Sequence, residues 1–271
     1  MTAHVLLPPE NDLLCESCGY PLVGLGLGEG SGKAASETAE TTAARCPECG
    51  TPIADSLPAT RRPTAWAERQ TPRTWLATST HALFQPRKFF RGLATRDNPA
   101  AAQRFALWHA GLFGLLAVVA AGWHLGWTFL GPNLRPYVLA GRFSFDDFRP
   151  LIKLGFGVFV LPLPVIVLLT LGVRRLAGQL TALEAGWRGV RLPLPVVQTT
   201  LAYHSVHLLP PVLAVNAVVL GNLLLLAAGL VDATSHAEAY LYVLSGTIVV
   251  AAGYAFGTYW LAMMRVMYAN A

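Results

Sequence analysis

Charge is what this sequence has least of. Only 13% of its 271 residues are Asp, Glu, Lys or Arg, against roughly a quarter in a typical soluble domain. With 54% hydrophobic residues and a mean hydropathy of +0.45, the composition excludes an ordinary soluble enzyme and points to a multi-span membrane protein. Cysteine is nearly missing: there are four, all before residue 50. A secreted disulfide framework would scatter its cysteines through the fold, so that class is excluded as well. The first residues, MTAHVLLPPENDLLC, lack a basic region ahead of a long apolar run. No cleaved signal peptide is therefore expected, and the head is expected in the cytosol, where thiols stay reduced.

What cysteine there is falls in a pattern. Residues 14–20 read LCESCGY and residues 45–51 read RCPECGT, each a Cys-x-x-Cys-Gly. This spacing lets two thiolates on one tight turn reach the same ion at about 2.3 Å, and the glycine frees the backbone to bend around it. Two such turns complete a tetrahedral set of Cys15, Cys18, Cys46 and Cys49. One structural zinc is the expected cofactor, because four sulfur ligands leave no open position to activate water. A redox dithiol is the competing assignment, but no βαβ pattern surrounds either pair. The head is expected to span residues 1–57, with a mobile insert at 24–44 that is poor in large apolar residues after Leu27. So small a head cannot bury a sufficient core, and the metal should supply most of its folding free energy, about 10–16 kcal/mol in comparable peptides.

The form CxxCGYxLxGL, carried by Cys15, Cys18, Gly19, Tyr20, Leu22, Gly24 and Leu25 and followed by CPxCG at Cys46 to Gly50, resembles the N-terminal zinc ribbon found on many uncharacterised bacterial proteins. That resemblance implies a small β-hairpin domain that binds zinc, and it implies no activity.

Charge is also unevenly placed. Residues 1–60 hold two basic side chains against eight acidic ones, whereas residues 61–104 hold nine basic ones against Glu68 and Asp97. In this second segment, 58–104, Trp66, Trp75, Leu76, Leu83 and Phe84 alternate with Arg69, Arg73, Arg87, Lys88 and Arg91. Phe89, Phe90 and Leu93 share one helical face. The pattern predicts interfacial amphipathic helices, with aromatic rings at headgroup level and basic groups toward anionic lipid. Nucleic-acid binding is not expected, since no recognisable module accompanies the charge.

From 105 to 271 the chain predicts a polytopic helical domain of about four spans, at 105–130, 151–173, 212–231 and 240–264. Pro162 and Pro164 predict a kink in the second span, which should stop at Arg174 and Arg175. Tyr240, Tyr242, Tyr259 and Trp260 are expected interface anchors. The basic pre-span segment and the loop bearing Arg174, Arg175, Arg188 and Arg191 place both termini in the cytosol of an inner-membrane protein. The loop after the first span, with Arg135, Arg142, Arg149 and Lys153 opposing Asp146 and Asp147, fits that orientation less well.

No Asp or Glu lies inside a predicted span, so His109 and His124 have no carboxylate to relay protons with. Gly122-x-x-x-Gly126 and Gly253-x-x-x-Gly257 suit close helix approach, within one chain or in a homo-oligomer, and Asn216 and Asn222 suit hydrogen bonds across helices. His204-x-x-His207 lacks the glutamate of a metalloprotease helix and reads instead as part of an interfacial helix leading into the third span.

The run ALFQPRKFFRGL (82–93) and the segment GVRLPLPVVQTTLAYHSVHLLPPVL (189–213), with Tyr203, Ser205 and Pro210, are similar to the corresponding pre-membrane segments of bacterial members of the Yip (Ypt-interacting-protein) domain family. Members usually carry five spans. The resemblance implies a helical membrane scaffold. The expected fold class is thus mainly α, a four-span bundle preceded by a zinc-ribbon hairpin. The expected role is a non-enzymatic scaffold or adaptor that sits in the lipid bilayer and recruits a cytosolic protein partner. A small transporter or channel is the alternative, and an intramembrane enzyme using His204 and His207 comes third.

Overall fold

The computed structural model describes residues 13–15, 17–22, 45–56, 61–95, 98–139, 157, 162–189, 192–231 and 233–266. The predicted insert at 24–44 and most of the loop after the first span lie outside them. The described residues are mainly helical. After a 3-10 turn at Ile53–Ser56 come α1 (Ala65–Glu68), α2 (Pro72–Phe84), α3 (Pro86–Arg91), α4 (Pro99–Leu139), α5 (Pro162–Trp187), α6 (Leu194–His204), α7 (Leu209–Ala227) and α8 (Ala233–Val266).

Among the described residues four stretches are long and apolar enough to cross a membrane: Pro99–Leu125, Pro162–Trp187, Leu194–Leu226 and His236–Val266. In their most apolar 18-residue windows only 39%, 6%, 17% and 0% of the residues are buried. Apolar side chains turned outward on this scale would be ruinous in water and are the natural surface in hydrocarbon.

The helix bounds differ from the sequence expectation in one place. α5 does not stop at Arg174 and Arg175; it continues to Trp187, since arginine is a good helix former whose long stem can carry its charge toward an interface. The kink expected at Pro162 and Pro164 falls where the preceding residues, 158–161, lie outside the described ones.

The chain divides into two compact units. The first comprises residues 1–103, 175–203 and 260–271. It therefore gathers the start of α4, the end of α5, all but the last residue of α6 and the end of α8. Its core is built from the segment predicted to be interfacial. Phe89, Phe90 and Leu93 are 5%, 0% and 1% exposed, and Phe89 meets His81, Phe90 and Tyr203 edge to face. The aromatic face expected at headgroup level is thus spent on packing within the unit. Two caps order the local helices. Thr64 Oγ1 accepts from the Ala67 N–H and lies 2.9 Å from the Tyr203 hydroxyl, while Thr71 and Thr74 form a capping box ahead of α2. Gly178 lets α5 approach α6, where a Cβ would sit 3.3 Å from Leu201 Cδ1.

The second unit comprises residues 104–174 and 204–259. Among its described glycines Gly114 makes the closest contact: a Cβ there would meet Val167 Cγ2 at 3.0 Å and Leu163 Cδ1 at 3.2 Å. Asn216 Nδ2 donates to the Leu116 carbonyl at 3.0 Å and, within its own helix, to Val212 at 2.7 Å. Gly253 and Gly257, by contrast, have nothing within 4 Å of a Cβ, so that pair brings no described helix close.

Candidate metal centre

Each cysteine turn is built the same way. Cys15 N–H donates to Tyr20 O at 2.8 Å and Gly19 N–H returns to Cys15 O at 2.9 Å; Cys46 N–H donates to Thr51 O at 2.8 Å and Gly50 N–H returns to Cys46 O at 2.9 Å. One antiparallel bridge closes each turn, Leu14 with Pro21 and Arg45 with Pro52. Gly19 and Gly50 sit at φ of 74° and 72°, the left-handed region where a side chain is strained. This is the physical reason for glycine directly after the second cysteine. Among the described residues the expected hairpins are present only as these single bridges, and the second cysteine turn runs directly into the 3-10 turn at Ile53–Ser56.

The two turns bring all four sulfurs together. Cys15 Sγ lies 3.5 Å from Cys49 Sγ, Cys18 Sγ lies 3.6 Å from Cys46 Sγ, and all four fall within 4.8 Å of one another. A disulfide would need about 2.05 Å, and the four thiols are free. Tetrahedral sulfur ligands at about 2.3 Å from a metal have edges of about 3.8 Å, so the spacing fits a four-sulfur metal site. Cys15 and Cys46 are buried beside Leu22 and Ile53, with Leu13, Cys18 and Tyr20 packed against them. This small cluster is the head's own core.

The thiols differ in electrostatics. Burial pushes the Cys15 and Cys18 thiols up, and the neighbouring thiols add to the rise. Hydrogen bonds from the Thr51 hydroxyl and backbone hold Cys49 down to about 6, with the hydroxyl 3.2 Å from its sulfur. A cation bound among the four sulfurs would favour their thiolate form. Thr51 escaped the sequence reading, although its place two residues after Cys49 was the available signal.

The other singled-out residues are dispersed. His109 Nδ1 donates to the Phe105 carbonyl at 2.8 Å. His124 Nδ1 lies 2.7 Å from the Tyr240 hydroxyl. The rings of His204 and His207 are 5.0 Å apart, but each has its own hydroxyl: His204 Nε2 lies 3.0 Å from Thr258 Oγ1 and His207 Nδ1 lies 2.9 Å from Tyr254 Oη. Tyr254 and Thr258, four apart on α8, were not anticipated as partners. Among the described residues the only group of three or more potential metal ligands is the cysteine set.

No family model, curated protein or solved structure matches this chain. The site must be interpreted from its own geometry.

Proposed function

We propose that this chain is an inner-membrane scaffold or adaptor whose cytosolic, zinc-held head recruits a protein partner. The observation that carries the proposal is the cysteine set. Four sulfurs at the separations of a closed tetrahedron form a site with no vacant position, which suits structural zinc and not metal-assisted hydrolysis. A head that spends its metal on folding and presents acidic residues such as Glu48 has the character of a docking module rather than an active site. Both termini are assigned to the cytosol. In support, the first unit gathers the start of α4, the end of α5, α6 up to Tyr203 and the end of α8, as an up-and-down bundle with its basic segments on one side would require. The resemblance of residues 82–93 and 189–213 to Yip-domain segments, read from the sequence alone, would imply a scaffold as well.

The deciding experiment measures zinc in detergent-purified protein, wild type beside Cys46→Ser with Cys49→Ser, and compares the cytosolic proteins each form retains. One zinc per chain, lost in the variant together with a specific partner, is the expected result. A wild type without zinc would sink the structural site. Charge reversal at Glu48 should abolish recruitment by a scaffold and leave a transporter untouched.

A small transporter draws on one specific observation, the His204, His207, Tyr254 and Thr258 cluster within the candidate spans. Alanine at both histidines tests it: unaltered function removes both this alternative and an intramembrane enzyme.

A further inference from the structure

Away from the cysteines, and still within the first unit, residues between Asp55 and Leu93 line an open cavity of about 580 Å³. Its wall carries four cationic residues, Arg61, Arg62, Lys88 and Arg91, together with Thr64 and Thr78. One carboxylate opposes them: Asp55 lies 3.9 Å from Arg91, and that pair is exposed, so water screens much of its attraction. His81 also lines the wall. Burial, and then the Lys88 charge, hold its pKa below the ordinary value, so it adds no positive charge of its own near neutral pH.

The cations are held in place by the fold. Arg61 is buried and its Nη1 donates to the Leu93 carbonyl. Arg62 pairs through its backbone with Gly92 and Ala94. Lys88 and Arg91 are three apart on α3 and share a face. Two segments some thirty residues apart thus converge their positive charge on one concave space. That space is within the size range of a small-molecule site and larger than a bare ion needs.

We propose that this cavity binds a phosphate ester, presented by an anionic lipid headgroup or by a soluble phosphorylated compound. Guanidinium and ammonium groups around one hollow are the donors a phosphate takes. The cavity's place favours lipid. α1, in its wall, is tied to the opening turn of α4: Trp66 Nε1 donates to the Ala101 carbonyl at 2.7 Å, and Asn98 Nδ2 donates to the Ala67 carbonyl. The candidate span begins at Pro99, so a bound anion lies close to the level where the helix enters hydrocarbon. On α2, Leu76 and Phe84 share a face and are 57% and 81% exposed, a surface suited to the acyl boundary.

The test uses the full chain in neutral maltoside at low ionic strength, titrated by calorimetry with inorganic phosphate, dioctanoyl phosphatidylglycerol and dioctanoyl phosphatidylcholine. Wild type should bind phosphate or phosphatidylglycerol. Arg62→Gln with Lys88→Gln should weaken that binding tenfold or more, whereas Arg73→Gln with Arg87→Gln, which removes equal charge outside the cavity, should change it less than twofold. Phosphatidylglycerol binding without phosphate binding assigns the headgroup, and phosphate binding with no gain from the lipid assigns a soluble ligand. Circular dichroism and metal content report folding, and the single exposed Lys88→Glu replaces the double variant if that fails to fold. No binding by either anion, equal binding of phosphatidylcholine, an unaffected cavity variant or an equally damaged control would each overturn the proposal.

Discussion

The neck at residues 61–95 and the four long helices both depend on large apolar side chains, and they use them in opposite ways. Phe90 and Leu93 are 0% and 1% exposed, while Leu168 and Val249 are 69% and 70% exposed. In the neck, aromatic residues alternate with arginine and lysine, and Phe89, Phe90 and Leu93 find one another while most of the charges, Arg61 excepted, stay outside. Along the spans no such alternation exists, and lipid can take the side chains that protein does not. Hydrophobicity alone therefore does not tell which residues form a core; the charge interleaved with it does.

Removing the metal should widen the contrast most. Cys46→Ser with Cys49→Ser forfeits a binding free energy of about 10–16 kcal/mol in comparable small domains. Limited proteolysis should then cut within the head, while helicity by circular dichroism stays near wild type because the spans owe nothing to the ion. Loss of span helicity would show that the two regions fold as one.

Next in size is truncation of the neck core. Phe90→Ala should cost about 3–5 kcal/mol, whereas Val249→Ala, on the exposed face of α8, should cost less than about 0.5 kcal/mol. Reversible unfolding in mixed micelles compares the two. A large penalty at Val249 would mean that its face is covered, as in a homo-oligomer, and would break the comparison.

Within the helices the same logic separates the glycines. Gly114→Ala places a methyl 3.0 Å from Val167 Cγ2 and should destabilise by about 1–3 kcal/mol. Gly253→Ala enters open space and should be neutral or stabilise by up to about 1 kcal/mol through helix propensity. A modest effect is expected of Asn216→Leu, which deletes the bond to the Leu116 carbonyl: about 0.6 kcal/mol is typical of such bonds in membranes, readable as a small shift in thermal stability.

Much of the candidate site was legible from the chain. A Cys-x-x-Cys-Gly turn is complete within six residues, so Cys15, Cys18, Cys46 and Cys49 announce themselves without any knowledge of the fold. The cavity was not legible. Its arginines and lysine were visible as a basic run, but only the pairing of Arg62 with Leu93 across some thirty residues turns a run into a concave wall. Thr51 stood beside a cysteine, and Tyr254 and Thr258 stood in a plain apolar helix; nothing local marked them as hydrogen-bonding partners.

The sequence by itself determined the properties that depend on short range or on a fixed external length: the metal-ligand turns, which need only a tight backbone and glycine at positive φ, and the apolar stretches, whose length answers to the thickness of hydrocarbon. Tertiary structure alone decided which apolar face became core, which glycine became a contact and where the neck's positive charge converged. Each of these depends on what a residue meets far along the chain, and periodicity records only the face a side chain occupies, not the surface it will find there.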